Sequence, residues 1–217
     1  MQTILNSSCL QQVIYLLLAL MAHTMYNGVL CLQVTSTPPL LDVPTYSLAT
    51  LDKESNETGM NILTYATPVS IKPDRIWCIG LYKGTVAHKN FMDNGEGVLQ
   101  LLAPEHATLV KLLGGSSGRD VDKEEECEKL GFKWITTDGI EQKLLPGCIC
   151  YLKLKLASSD GQLIDFGSHD AALCVVESIF IENDIQEDKD TNSEPKYLNS
   201  AMLRELGIIN PQGRVAE

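Results

Sequence analysis

Ile149-Cys150-Tyr151-Leu152-Lys153-Leu154-Lys155-Leu156-Ala157 decides the class of fold. Cys150, Leu152, Leu154 and Leu156 fall on one side of an extended chain, and Tyr151, Lys153 and Lys155 on the other. Side chains alternate between the faces of a strand, so this run is a half-buried antiparallel strand with one face on a core. Asp160-Gly161 then supplies a hairpin turn, and residues 171–181 make the last long strand. Upstream, residues 61–70 are apolar and β-branched, and 75–82 and 97–102 read as further strands. Helices fit between them. Residues 85–93 open on a hydroxyl N-cap. Residues 104–113 have Pro at their start and Gly114 after their end, and 120–130 carry acids in the first turn and stop at Gly131. Many short strands with few helices predict a mainly β protein, a barrel with short helical inserts.

The ends of the chain read differently. No Lys, Arg, Asp or Glu occurs before Asp42. The apolar run 13–22 is shorter than the roughly 20 residues a membrane span needs. It suits a signal-peptide core of about 7–15 residues, but the positive flank and the small-x-small cleavage site are missing. Residues 1–43 are therefore read as a leader or disordered segment, with no firm membrane span. Pro38-Pro39 and Pro44 punctuate the entry to one domain, residues 44–183. Residues 184–217 read as an acidic linker followed by a small C-terminal helix. Asn199 caps that helix, Gly207 ends it, and Leu203 and Leu206 offer it an apolar face.

A chain with 44% hydrophobic and 21% charged residues can pack a core. The net charge of −11 argues against nucleic acid as a partner, because that needs a basic surface. It leaves room for an anion held by local cations or a helix N-terminus. The seven cysteines contain no C-x-x-C pair and read as reduced apolar side chains. There is no G-x-S-x-G, H-E-x-x-H, P-loop or G-x-G-x-x-G, so hydrolase and nucleoside-triphosphatase readings have no anchor.

Four stretches remain as candidates for chemistry. In Lys83-Gly84-Thr85-Val86-Ala87-His88, free N–H groups, a hydroxyl and an ammonium converge on a helix N-terminus, as a phosphate monoester requires. The alternative is a capped connection with a solvated Lys. In residues 61–70, Thr64 and Thr67 alternate with apolar residues, and Pro68 should end ladder pairing, leaving a backbone edge open to a polar ring. The alternative is an ordinary strand containing two threonines. In residues 116–123, Arg119 and Lys123 face an anion or are simply solvated, while Asp120 and Asp122 could cap a helix. In residues 165–170, His169 beside Asp170 is either a chemical pair or a surface turn.

The order and spacing of these four elements resemble the flavin reductase-like, FMN-binding split-barrel family, closest to its plant and algal branch. The resemblance runs over residues 45–183. A Thr-containing strand ends in Pro68-Val69-Ser70, Pro73 and a hydrophobic strand follow, and Ser117-Gly118-Arg119-Asp120-Val121-Asp122-Lys123 matches the family's Ser-Gly-Arg-Asp-x-Asp-Lys stretch. The resemblance implies a Greek-key split β-barrel that is usually a homodimer, with FMN near the subunit interface. It implies flavin contacts from Thr64, Tyr65, Ala66, Thr67, Leu81, Tyr82, Lys83, Thr85 and His88, with Ser117, Asp122 and Lys123 as second-rank contacts. The phosphate would lie near Lys83 and Thr85, and His169 would stand near a nicotinamide. Ser168 departs from the family's Gly-Asp-His, and Glu124 stands where an aromatic often follows the Lys. The implied function is an NAD(P)H-dependent flavin reductase-like oxidoreductase passing hydride from nicotinamide to flavin, with no obligatory catalytic acid or base. The alternative is a non-catalytic flavin-binding carrier or sensor module. A plastid or cytoplasmic location accords with the resemblance and with reduced cysteines.

Overall fold

The structure, a computed structural model, describes residues 41–157, 163–182 and 196–216. Its strands are β1 (Tyr46–Leu51), β2 (Thr58–Leu63), β3 (Ala66–Ser70), β4 (Ile76–Tyr82), β5 (Glu96–Leu101), β6 (Ile135–Thr137), β7 (Ile140–Leu144), β8 (Cys150–Leu156), β9 (Ile164–Phe166) and β10 (His169–Phe180). Its helices are α1 (Val86–Asn94), α2 (Val110–Gly115), α3 (Lys123–Lys129) and α4 (Ser200–Glu205), with a 3-10 turn at Pro104–Leu109.

The main ladder runs β2-β1-β5-β8-β10-β4-β3, with β9 added to β10, and every pairing in it is antiparallel. Its two edge strands, β2 and β3, are consecutive in sequence and joined only by Thr64 and Tyr65. The step from Leu63 to Ala66 spans at most about 11 Å. The edges must therefore meet, and the sheet curls into a barrel closed by the chain rather than by hydrogen bonds. β4 and β5 are also consecutive, yet β10 and β8 lie between them in the ladder. That crossing, made through α1, gives the Greek-key character. The mainly β split barrel expected from the sequence is the observed architecture.

Side-chain alternation sorts the core into two clusters. The inner one takes Leu48, Leu63, Ile79, Leu81, Leu99, Leu152, Leu154, Ala172 and Cys174 from the strands, and Phe91 from α1. The outer one packs Ala49, Met60, Val98 and Tyr151 against α2, α3, the β6–β7 hairpin and the C-terminal segment. Strand β1 lies between the two and is buried along its whole length. Thr85 caps α1 by accepting from His88 N at 3.1 Å, and Gly95 ends it at φ +67°, a left-handed conformation that costs a glycine little.

Several expectations are corrected. Residues 61–70 are not one strand but the ends of two opposite edges, broken at Thr64-Tyr65. The helix expected over 104–113 begins as a 3-10 turn, and Gly114 lies within its last turn, with Ser116 as the cap. The helix expected from Asp120 starts only after Asp122, whose carboxylate accepts from Glu125 N at 3.0 Å. Tyr151, expected to face water, is buried, and its hydroxyl donates to Leu145 O at 2.8 Å. The short helix expected after Asn199 is present as α4, and residues 196–216 pack against the barrel. Leu198 N donates to Leu102 O at 2.7 Å, Thr45 N donates to Leu198 O at 2.8 Å, and Leu198, Leu203 and Ile209 join the outer cluster. The turn at Asp160-Gly161, most of the leader and most of the acidic linker lie outside the described residues. All described cysteines are free.

Candidate functional site

The break between β2 and β3 forms one wall of a cleft of ≈ 490 Å³, lined by Thr64, Tyr65, Ala66, Thr67, Cys78, Gly80, Phe166, His169, Asp170 and Ala171. It lies on the outer face of the barrel. Cys78, Gly80 and Tyr82 of β4 pair with Leu173, Ala171 and His169 of β10, while their neighbours Ile79, Leu81 and Ala172 enter the inner cluster. Gly80 is required by a close approach. An added Cβ would stand 2.9 Å from Tyr65 Cβ, and Gly80 N donates to Tyr65 O at 2.7 Å. The imidazole of His169 sits between Tyr65 and Tyr82, with ring centroids 5.3 and 5.2 Å away, and its Nδ1 is 2.9 Å from Ser168 Oγ. Tyr65, Tyr82 and Phe166 are exposed around the cleft.

Two residues beyond Tyr82 the chain turns at Gly84, φ +88°, into α1. Here Lys83, His88, Asp165 and Asp170 form one network. Lys83 Nζ lies 2.7 Å from Asp165 Oδ1 and 3.1 Å from Asp170 Oδ1, and His88 Nε2 lies 2.7 Å from Asp170 Oδ2. The Asp165 carboxylate holds the Lys83 ammonium above its ordinary value, and Lys83 in turn holds Asp165 low. Asp170 is held low chiefly by His88, with Lys83 second. Thr85 Oγ1 donates to Tyr82 O at 2.9 Å while accepting from His88 N, which fixes the turn to the helix.

The structure gathers most of the sequence-predicted residues into these two neighbouring places and separates others. Thr64, Tyr65, Ala66, Thr67 and His169 line the cleft, with Tyr82 at its margin. Lys83, Thr85 and His88 form the adjoining turn. Ser117 comes close through its neighbour, since a Cβ on Gly118 would meet Val86 Cγ2 at 3.6 Å. Leu81 is 1% exposed inside the barrel, which leaves only its backbone to meet a ligand. Asp122 is the cap of α3. Lys123 is buried, its Nζ donating to Leu113 O at 2.7 Å and Met60 O at 3.1 Å, and desolvation pulls its ammonium down to about 8. Cys78, Gly80 and Ala171 join the site without having been singled out, while Asp165, Phe166 and Asp170 come from the candidate stretch 165–170. A glycine inside a strand is the usual signal of such an approach, and Gly80 carried it.

Flavin mononucleotide can be tested against this donor set. Its flat ring suits a cleft bordered by a strand break and by a β-carbon-free position at Gly80. Its phosphate suits the start of α1, where Gly84 and Thr85 bring backbone N–H groups to the surface. The ammonium of Lys83, however, is already shared between two carboxylates.

Residues 33–200 match the sequence model of the family described as "Flavin reductase like domain". No curated protein matches the chain. Among solved structures, the barrel is similar to flavoredoxin from Methanosarcina acetivorans (14% identity, TM-score 0.58, covering 70% of this chain and 76% of that one). It is similar to the FMN-binding protein from Thermus thermophilus with bound p-hydroxybenzaldehyde (16% identity, TM-score 0.59, covering 78% and 90%). It is also similar to the NADH:FAD oxidoreductase SgcE6 of Streptomyces globisporus C-1027 (15% identity, TM-score 0.54, covering 65% and 77%). At such identities the structures speak for the fold, and it is the match over most of the chain's length that makes this protein a member of the flavin reductase-like domain family.

Proposed function

We propose that this protein binds FMN in the cleft beside Gly80 and accepts hydride onto it from NAD(P)H. The observation that supports this most directly is the junction of the outer-face cleft with the start of α1, which offers a ring site and a phosphate site within one strand-to-helix turn. When bound, the flavin supplies the hydride acceptor, and the protein binds, orients and tunes it. Thr64, Tyr65, Ala66 and Thr67 border the ring with backbone and hydroxyl groups. Gly84 and Thr85 turn N–H groups toward the phosphate, with Lys83 and Ser117 beside them. His169, steadied by Ser168 and flanked by Tyr65 and Tyr82, faces the space above the cleft where a nicotinamide would stack.

The same reading takes the protein as a homodimer. Tyr65 and Phe166 line the cleft and, like Val69, Ile71 and Ile164, are large apolar or aromatic side chains exposed to solvent, and a second copy would remove them from water. The test is direct. The purified chain should carry a flavin spectrum that bleaches under anaerobic NADH or NADPH. A bound flavin that stays oxidised with both would leave the carrier or sensor reading, which Ser168 in place of the family's Asp favours.

A further inference from the structure

Resting on the reading of the α1 turn as a phosphate site, we propose that Asp165 and Asp170 set the tail specificity of the flavin by competing with its phosphate for Lys83. Lys83 belongs to that turn, and its ammonium is engaged twice, at 2.7 Å by Asp165 and at 3.1 Å by Asp170. Asp170 also holds His88 at 2.7 Å. Lys83 thus brings one ammonium to two carboxylates, so one acid more than the lysine can balance stands beside the turn. A phosphate dianion arriving at α1 therefore meets the helix N–H groups, which attract it, and a surplus carboxylate, which repels it. Like charges a few ångströms apart oppose each other, and more strongly at a protein surface than in bulk water. Riboflavin has no phosphate and is indifferent to this term. The site is thereby levelled, so that FMN gains less over riboflavin than the start of α1 would otherwise give.

The two acids are not equivalent. Asp170 is largely buried and ties β10 to α1. Asp165 belongs to the short hairpin between β9 and β10, its side chain 71% exposed, and it reaches Lys83 from the solvent side. Its Oδ1 also accepts from Gly167 N at 2.7 Å. An asparagine at 165 keeps that acceptor, and so keeps the turn while removing only the charge.

The experiment measures dissociation constants of FMN and riboflavin for the wild-type chain and for Asp165→Asn by quenching of flavin fluorescence, at low and at moderate salt. The expected result is a severalfold tighter FMN in the variant with riboflavin unchanged, and a gain that shrinks as salt screens it. FMN and riboflavin shifting together, or neither shifting, would overturn the proposal while the flavin site stands. If neither flavin binds either protein, the functional reading falls and this inference falls with it.

Discussion

Gly80 and Tyr65 are in contact through backbone and side chain at once: Gly80 N donates to Tyr65 O at 2.7 Å, and a β-carbon at position 80 would stand 2.9 Å from that of Tyr65. Tyr65 is half of the two-residue link that closes the barrel, so this contact fixes where the chain crosses from β2 to β3. Gly80→Ala should push Tyr65 away. Forcing a methyl into a filled place costs about 1–3 kcal/mol. The loss should appear in urea unfolding, and flavin affinity should fall with it, because the displaced residues line the cleft. A variant as stable as the wild type that still binds flavin would mean that the Tyr65 link yields freely.

Lys83→Met combined with Thr85→Ala should weaken FMN more than riboflavin. The pair removes the ammonium beside the turn and the hydroxyl that caps α1 through His88 N at 3.1 Å. Loss of such a cap costs about 1 kcal/mol of stability, so Lys83→Met alone serves as the charge-only control. It leaves Asp165 and Asp170 without their cation, which should set the site further against a phosphate. Equal loss of both ligands in a titration would put the phosphate elsewhere.

The elements legible in the sequence were those with one face on a core and one in water. Strand β8 showed its leucines and lysines in alternation, and the caps Thr85, Asn199 and Gly131 announced helix ends. Strand β1 was not legible, because Tyr46–Leu51 is buried on both faces and carries Ser47 and Thr50 inside; no alternation survives such an environment. The hairpin β6–β7 did carry a signal, Asp138-Gly139, with Gly139 at φ +80°, though both strands are short. The site divides in the same way. The turn at Lys83–Thr85 could be argued from residue types alone. What Lys83 touches could not, because its partners Asp165 and Asp170 come from another hairpin brought alongside by the β4–β10 ladder. Likewise Lys123, expected near a ligand, spends its charge on two buried carbonyls that only the tertiary fold puts within reach.

The C-terminal segment should prove structural. Leu198 is fully buried and bridges the approach to β1 and the exit from β5 through its own backbone. Leu198→Ala should cost about 2–5 kcal/mol, as buried leucine truncations do. Removal of residues 196–217 should leave a chain that no longer melts cooperatively. A truncated chain with an unchanged thermal transition would show that the segment merely rests on the barrel.

Lys123 should give the protein an alkaline rise in stability. Burial lowers its folded-state value from 10.5 to about 8. Between those two values the unfolded chain keeps a proton that the folded chain has shed, so the unfolding free energy increases with pH there. The contribution is absent below about 8 and complete above about 10.5, and reaches at most ~3 kcal/mol at 1.36 kcal/mol per unit. The Cys127 thiol beside it is itself pushed up by burial, so the useful quantity is a difference. The stability of the wild type minus that of Lys123→Met, from urea melts at pH 7, 8, 9 and 10, should climb across the series. A flat difference would mean that the ammonium keeps contact with water despite its place between Leu113 and Met60.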